Sequence, residues 1–312
     1  MKRQRGIALL VALLVVALAA MLIAGLLDRG ELALARTRNA LRGEQAAAYV
    51  QGLEAYAAKL LLKDLDDEDA GSHVWAAPLP PQQVPGGVLT ATLRDLNGCF
   101  NLNNLSLGDA VWLRMFGRLL DARSVDRDVA NAVVQWLGGG DGADMTDAYY
   151  LAQPVPYRSA QRVFAHVSEL RLVRGVDSDV YARLAPYVCA LPPGTKLNVN
   201  TASVPVLRTL GNGITEQQAE NLWQNGQAHW QGDFQNEWRG IVTVDPEAVS
   251  ATRAGTSSTY FLAKSDIILD GVPFTFFSLM ERGRGTGIRV VERSRGSDDA
   301  LTAPAITNAG GR

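Results

Sequence analysis

The chain has 312 residues, with 30 basic and 32 acidic side chains and a formal net charge of −2. This balance argues against a general polyanion-binding protein. The 285 residues that follow the apolar N-terminal segment 7–27 are enough for a sizeable core in one or two domains.

The N-terminus combines a short basic leader with an uninterrupted apolar run. Lys2, Arg3 and Arg5 precede the stretch 7–27, which carries no charge. A run of this length is sufficient to cross a bilayer as a helix, and the basic leader predicts a cytoplasmic N-terminus. A secretory signal peptide normally has a shorter apolar core followed by a small-residue cleavage site. Here the small residue, Gly6, lies before the run, so cleavage at Gly6 would leave the membrane helix on the mature protein.

This arrangement resembles the class III leader of type IV pilins and type II secretion pseudopilins. The resemblance implies that a prepilin peptidase cleaves between Gly6 and Ile7. Most such proteins carry a glutamate at the fifth residue after the cut, where this chain has Val11. A carboxylate within a membrane is costly without a partner, and in the family its partner is the terminal amine of a neighbouring subunit. The alternative interpretation is a plain N-terminal membrane anchor.

The apolar helix is expected to continue beyond the membrane. Large side chains recur at helical spacing on one face, at Tyr49, Leu53, Tyr56 and Leu60. A single helix is therefore predicted over 7–62, with its first half in the membrane and its second half packed on a globular head. The acidic run 63–69 (KDLDDED) ends this helix and is interpreted as a solvated turn rather than a site.

Strand-like segments lie on both sides of a helical middle region. A proline-rich connection at 77–87 (APLPPQQVPGG) precedes an alternating strand at 88–95. Near the C-terminus, strands are predicted at 259–269, 272–282 and 288–293. The dipeptide Asp270–Gly271 is a strong hairpin signal between the first two of these. The early and late strands are expected to share one sheet, and the tail 296–312 is predicted to be disordered.

The middle of the chain contains an internal repeat. Residues 100–106 read FNLNNLS and residues 197–203 read LNVNTAS; each copy precedes a helical pattern with a similar ending, LRMFG at 113–117 and LRTLG at 207–211. Asparagine is a good helix N-cap and turn former, so each Asn-x-Asn is expected to close a strand and start a helix. Further helices are predicted at 126–137, 160–173 and 178–184, and at least one more within 212–240.

These motifs resemble the K-type minor pseudopilins of type II secretion, the GspK family. The resemblance rests on DLNG-x-FNLNNL at 95–105, with Cys99 in the variable place, on LNVNTAS, on Pro-Tyr-Arg at 156–158 and on Ser-Glu-Leu at 168–170. It covers residues 1 to about 293. The valine at position 11 also fits this family and departs from ordinary pseudopilins.

The resemblance implies an α+β pseudopilin fold. A long N-terminal transmembrane helix would pack on a small antiparallel sheet, with a large inserted α-helical domain that contains two related helix-hairpin, SAM-like copies. The implied organisation is a leader at 1–6, a transmembrane helix at 7–27, an amphipathic helix and first head strands at 28–100, the inserted domain at 101–255, C-terminal head strands at 256–295 and the tail at 296–312.

The resemblance also implies a mechanical function. The protein would lie at the tip of the type II secretion pseudopilus, start its assembly and support protein export across the outer membrane. The implied partners are the minor pseudopilins I, J and H, a prepilin peptidase and the bacterial inner membrane, which the chain would cross once, with its globular part in the periplasm.

The segment 197–222 has a competing interpretation as a helix-hairpin-helix, as in DNA-uptake and repair proteins. The hairpin 211–213 (Gly-Asn-Gly) would offer backbone N–H groups to a phosphate. Between residues 198 and 238, however, the only full positive charge is Arg208. It is opposed by Glu216, Glu220, Asp233 and Glu237. Because phosphate affinity comes mainly from charge neutralisation, a packing module is favoured over a membrane-anchored DNA-binding protein, and nucleic acid is not an expected partner.

An acidic, glycine-rich loop at 138–150 is the best candidate for a metal site. Asp141, Asp144 and Asp147 are spaced three apart, and oxygen ligands on a flexible loop suit Ca²⁺. The ligand pattern of an EF-hand is missing. The family resemblance implies calcium in the head, and a solvent loop is the alternative.

The cysteines and histidines complete the candidate sites. Cys99 and Cys189 are a candidate disulfide in an oxidising periplasm, with two separate buried thiols as the alternative. His73, His166 and His229 are scattered and show no ligand spacing, so a zinc site is not expected. The chain has no G-x-S-x-G, H-E-x-x-H or Walker motif, so we predict that it is not an enzyme.

Overall fold

The computed structural model describes residues 4–63, 68–139, 143–283, 285 and 287–296. In chain order, the strands of this part of the chain are β1 (Leu79–Val84), β2 (Gly87–Asp95), β3 (Phe100–Asn101), β4 (Val188–Cys189), β5 (Leu197–Asn198), β6 (Ala254–Gly255), β7 (Tyr260–Leu269), β8 (Val272–Gly283) and β9 (Gly287–Arg295). The α-helices are α1 (Gln4–Lys63), α2 (Ala110–Ala122), α3 (Asp128–Trp136), α4 (Ala143–Leu151), α5 (Ser178–Leu184), α6 (Val204–Leu207), α7 (Glu216–Trp223) and α8 (Phe234–Glu237).

Helix α1 is one continuous element of 60 residues, which confirms the helix predicted over 7–62. Side chains from residue 9 to residue 41 are all exposed. Beyond them, one side of the helix is buried against the sheet through Ala46, Val50, Leu53, Ala57 and Leu61. Tyr56 is 45% exposed, so the buried face is turned by about one position from the predicted one. Small alanines allow the helix to approach the sheet, and the tyrosines lie at the edges of the contact.

A five-stranded antiparallel sheet has the order β1-β2-β7-β8-β9. Strand β2 pairs with β7 along its whole length, from Gly87 opposite Leu269 to Asp95 opposite Phe261. The early and late strands therefore share one sheet, as predicted. The predicted hairpin is also confirmed, because Asp270 and Gly271 have positive φ angles of 47° and 80°, as a two-residue type I′ turn requires.

The proline-rich segment at 77–87 is not only a connection, because it contains strand β1. This strand pairs with β2, and its register is irregular between Leu79 and Gln82, where Pro80 and Pro81 lie. Proline has no N–H to donate, so it is tolerated in a sheet at an edge or a bulge. β1 is one of the two edge strands of this sheet and contains such an irregularity.

The region between β2 and β7, called the insert below, is held by short parallel strand pairs and packed helices. Strand β3 pairs with β4, and β5 pairs with β6. One large apolar core fills the insert, and its buried aromatic side chains include Phe100, Phe116, Trp136, Phe234 and Trp238. Helices α3 and α5 confirm the helices predicted at 126–137 and 178–184 to within two residues.

The helix predicted at 160–173 is wrong over most of its length. Only a short 3-10 turn, Val167–Leu172, forms there. Phe164 donates its backbone N–H to Asn103 Oδ1 at 2.8 Å and accepts from Asn103 Nδ2 at 3.0 Å. Because both backbone groups of Phe164 are bound to a side chain, this segment follows Asn103 instead of a helical ladder.

The solvated turn predicted at 63–69 is wrong at its last residue. Residues 64–67 lie outside the described part of the chain, but Asp69 is fully buried. Its carboxylate forms an ion pair with Arg282 of β8 and accepts the backbone N–H of Ser258 at 2.6 Å. A buried carboxylate is stable only with such partners. Of the predicted tail 296–312, only Gly296 lies within the described residues.

Candidate functional site

The two ends of the sheet contact different parts of α1. At one end are the β1–β2 and β7–β8 turns, where Pro85 accepts from Gln45 at 3.0 Å and Asp270 accepts from Arg42 at 3.0 Å. At the other end, Leu61 of α1 packs with Phe261 of β7. Phe261 pairs with Asp95, the last residue of β2, so β2 ends and β7 begins at this second end of the sheet. The insert is therefore attached at the end of the sheet that lies farther from the exposed apolar half of α1.

An ion pair with a buried carboxylate fixes α1 on the sheet. Glu54 lies on the buried face of the helix and accepts two hydrogen bonds from Arg293 of β9, at 2.8 and 2.6 Å. The hydroxyl of Ser278 in β8 donates a third, at 2.5 Å. The hydrogen bonds that Arg293 donates to Glu54, together with the charge of Glu54, raise the pKa of the Arg293 guanidinium. The sequence signal was a charged residue four positions after Val50 and three before Ala57, inside an apolar face.

A polar junction connects the sheet to the insert. Asp95 ends β2, and its carboxylate accepts hydrogen bonds from Asn198 at 2.9 Å, Thr201 at 2.5 Å and Ser258 at 2.6 Å. The backbone N–H of Asn97 donates to its other oxygen at 2.7 Å. Three chain segments that are far apart in the sequence thus meet on one buried carboxylate.

The junction strongly affects the ionisation of Asp95. Burial raises the pKa of the Asp95 carboxyl from 3.8 to about 6, and the nearby charge of Asp69 adds to this effect. The hydrogen bonds from Ser258 and Thr201 act in the opposite direction but are weaker than the desolvation. We interpret the junction as structural, because each of these groups binds another part of the same chain.

The repeated asparagine motifs have matching roles in the two halves of the insert. The first asparagine of each copy accepts the backbone N–H two residues later, Asn101 from Asn103 and Asn198 from Asn200. The second asparagine binds both backbone groups of a distant aromatic residue. Asn103 binds Phe164, and Asn200 binds Trp230 at 2.6 and 3.0 Å. The asparagines therefore form turns, as expected, and also make long-range contacts that the motif alone does not predict.

The structure joins Cys99 and Cys189 in a disulfide, with their Cα atoms 5.8 Å apart. The bond lies beside the parallel pair β3–β4, which brings Asn101 opposite Cys189. The sheet face away from α1 covers it through Leu262 and Phe277. The disulfide thus links the beginning of the insert to its middle and lies under the sheet.

The predicted metal ligands are only partly described. Asp141 and the side chain of Asp144 lie outside the described residues. The Asp147 carboxylate binds Arg158 at 3.0 Å and the backbone N–H and hydroxyl of Ser159 at 3.3 Å. The described residues contain no group of three His, Cys, Asp or Glu that could hold a metal ion. The calcium site therefore stays a prediction.

The hairpin at 211–213 is occupied by contacts within the insert. A Cβ atom on Gly211 would lie 2.3 Å from the carbonyl oxygen of Thr243, so the two backbones are in close contact. Arg208 donates from Nε to the carbonyl oxygen of Ile214 at 3.2 Å. These contacts support the packing interpretation of this motif.

Helix α1 is long and apolar enough to cross a membrane, judged by its length and composition. The predicted cleavage residues, Gly6 and Ile7, lie near its beginning. The apolar run 7–27 is followed by Leu32, Leu34 and Leu41, which are all more than half exposed. The exposed apolar surface of α1 thus extends beyond the apolar run 7–27.

Comparisons with known proteins agree with this arrangement. The family model for protein K of the type II secretion system matches residues 98–193. Type II secretion system protein K of Pseudomonas aeruginosa is 33% identical over 317 residues, which cover 94% of this chain and 93% of that protein. The corresponding protein of Pectobacterium carotovorum subsp. carotovorum is 31% identical and covers 94% of this chain and 97% of its own length.

A solved structure shares the fold. The crystal structure of the GspK-GspI-GspJ complex from enterotoxigenic Escherichia coli contains a chain that superposes with a TM-score of 0.74 at 26% identity. The match covers 84% of this chain and 99% of that one. With a long apolar helix, an antiparallel sheet and relatives matched over nearly their whole length, the chain belongs to the type II secretion system protein K family and is a minor pseudopilin of that system.

Proposed function

We propose that this minor pseudopilin occupies the tip of the type II secretion pseudopilus and starts its assembly together with I- and J-type pseudopilins. The observation that carries the proposal is the position of the insert. It is attached where Asp95 ends β2 and Tyr260 begins β7, at the end of the sheet that lies farther from the exposed half of α1. A subunit stacked beyond this one would meet the insert, so the protein fits the end of a filament.

The N-terminal sequence supports the same position. Val11 stands where most pseudopilins carry the glutamate that pairs with a neighbouring subunit's terminal amine. A chain without this carboxylate has no such pairing to offer a subunit ahead of it. A first subunit has no need of that contact. The tip position is tested by electron microscopy of pseudopili with an antibody against the insert. We expect the antibody to bind at one end of each pseudopilus. Antibody bound along the length of the filament would overturn the proposal.

Partner binding is assigned to the part of α1 between the membrane run and the sheet contact. Leu34 and Leu41 are 58% and 64% exposed, and apolar side chains on a helix favour packing against other helices. The related crystal structure contains I- and J-type chains, and we extend these partners to this protein. The H-type pseudopilin is a further proposed partner.

The partner surface is tested with the full chain in detergent. Wild-type protein mixed with the I- and J-type proteins should elute as a complex with one copy of each by light scattering. Leu34→Glu together with Leu41→Glu should weaken the complex, because the charges would be buried in the helix contact. Val155→Glu is a matched control, since Val155 is 78% exposed and lies in the insert. Equal loss in both variants would contradict this assignment.

Processing and topology follow from the leader. We propose that the prepilin peptidase cleaves after Gly6, that α1 crosses the inner membrane once and that the sheet and insert lie in the periplasm. Gly6→Val should leave the six leader residues attached when measured by intact mass. Wild-type protein that keeps its leader in a host with an active prepilin peptidase would show that the leader is a plain anchor.

Calcium binding by the loop around Asp147 is proposed as a separate property. Arg158, which pairs with Asp147, is 74% exposed, so an ion could displace it at little cost. Calcium should raise the melting temperature of the wild type but not that of Asp147→Asn. Arg158→Gln removes the competing charge and should keep the response. An identical response in wild type and Asp147→Asn would place calcium elsewhere.

A further inference from the structure

Two of the three histidines meet in the fold. The rings of His73 and His229 have centroids 5.0 Å apart and are inclined by 65°. His73 follows α1 on the way to the sheet, and His229 lies in the insert between α7 and α8. These two histidines are thus far apart in the sequence but adjacent in the fold. The third histidine, His166, lies elsewhere, and its ring nitrogen accepts the backbone N–H of Ser168 and caps a 3-10 turn.

Both histidines are carried by firmly packed backbone. A Cβ atom on Gly71 would lie 2.5 Å from the carbonyl oxygen of Gly226, so the two segments are in direct contact. His229 stands between Ala228 and Trp230, which are 0% and 8% exposed. The backbone N–H of Trp230 is bound by Asn200 at 2.6 Å. The backbone at these positions is held in place while the imidazole of His229 remains exposed.

The ring separation suits a shared metal ion. Zinc binds imidazole nitrogen at about 2.0–2.1 Å with tetrahedral angles, which places the centres of two coordinating rings about 5 Å apart. The observed separation is 5.0 Å. Imidazole is a preferred ligand of zinc, copper and nickel, whereas calcium prefers oxygen. The pair His73 and His229 thus favours a different class of metal ion from the one that the aspartate loop around Asp147 would favour.

We propose that His73 and His229 bind a divalent transition metal ion, with Zn²⁺ as the reference ion. The described residues contain no group of three potential ligands, and with two imidazole ligands we expect a moderate affinity. The ion would link the segment after α1 to the insert across the edge of the polar junction. It would thereby stabilise the position of the insert relative to the sheet, because an ion that binds only the folded state stabilises that state.

The test uses the full chain in detergent, purified without a polyhistidine tag and titrated with Zn²⁺ in excess calcium. Wild-type protein should bind one zinc ion per chain with a rise in melting temperature. His73→Gln and His229→Gln should each weaken zinc binding by about tenfold or more, since even loss of a supporting group around a metal costs about 10–100-fold. His166→Gln is the matched control and should bind like the wild type.

Folding of each variant is checked by its melting temperature without zinc. Glutamine is close in size to histidine and both sites are near the surface, so these temperatures should stay close to the wild-type value. Zinc binding that is unchanged in both His73→Gln and His229→Gln, or a wild-type protein that binds no zinc, would overturn the proposal. A loss that is equally large in His166→Gln would also contradict it.

Discussion

Asn198 donates a hydrogen bond from Nδ2 to Oδ2 of Asp95 over 2.9 Å, and so joins the second asparagine repeat to the end of β2. Both residues are buried. Asn198 Nδ2 also lies within hydrogen-bond distance of Ser258 Oγ and of the carbonyl oxygen of Asp69. The position of the insert on the sheet therefore depends on a small set of buried polar contacts, and their protonation affects the stability of the fold.

Asp95 should make the fold more stable in mild acid than at neutral pH. Its pKa is raised from 3.8 to about 6, so between these values the folded state binds more protons than the unfolded state. The contribution of Asp95 to the unfolding free energy therefore falls as pH rises through this window, by about 3 kcal/mol at most. Urea unfolding at about pH 4 and about pH 7 should show the wild type losing stability relative to Asp95→Asn. A difference that is independent of pH would contradict this prediction.

Loss of the arginine partner of the buried Glu54 should destabilise the contact between α1 and the sheet. Arg293→Gln is expected to lower the unfolding free energy by about 2–3 kcal/mol, less than for a fully buried pair because Arg293 is 39% exposed. Arg289→Gln on the same strand is the control, since Arg289 is 75% exposed and pairs with Glu281. It should change stability by less than about 0.5 kcal/mol. Equal losses of unfolding free energy in the two variants would show that the ion pair with Glu54 contributes no more than a surface ion pair.

The two asparagines that bind distant backbone should be of similar importance. Asn103→Ala and Asn200→Ala each leave the buried backbone groups of Phe164 or Trp230 without a partner, at a cost of about 2–4 kcal/mol. Asn221→Ala, on the exposed side of α7, should be nearly neutral. Chemical denaturation of the three variants checks this. A neutral effect at either buried position would show that the two halves of the insert differ in their dependence on the motif.

The disulfide should contribute substantially to stability. The closed loop, with a sequence separation of 90 between the cysteines, corresponds to about 4.6 kcal/mol in the chain-entropy model. Cys99→Ser with Cys189→Ser should lower the melting temperature, and the single variants should be at least as unstable because each leaves an unpaired thiol. Alkylation of unfolded, unreduced wild-type protein followed by mass measurement tests whether the bond exists. Two modified cysteines in that experiment would show that it does not form.

Local patterns predicted the elements whose geometry is decided by neighbouring residues. Asp270–Gly271 predicts a tight hairpin because these residue types tolerate positive φ. Likewise, an unbroken apolar run predicts the beginning of α1. Strand β1 was not predicted, because its prolines are compatible only with an edge strand or a bulge. Which strand lies at the edge of the sheet depends on the pairing of strands that are far apart in the chain.

The polar interior could not be predicted for a similar reason. Asp69 is predicted in a solvated turn and Glu54 has no nearby partner in the sequence, because their arginine partners follow 213 and 239 residues later. The helix predicted at 160–173 is absent because Asn103, about 60 residues earlier, binds the backbone of Phe164. The histidine pair likewise depends on contact between the segments around Gly71 and Gly226. Each of these features is a long-range contact whose partner no local sequence pattern identifies.

The register of the sheet also determines the order in which the parts of the protein can fold during synthesis. Asp95 faces Phe261, so β2 leaves the ribosome about 165 residues before its partner β7 exists. At about 5–20 residues per second, the first hairpin waits for roughly 8–30 s with an unpaired edge. Unpaired strand edges invite aggregation. We expect the insert, which has its own core and its own covalent link, to fold during this interval, and the sheet to close last.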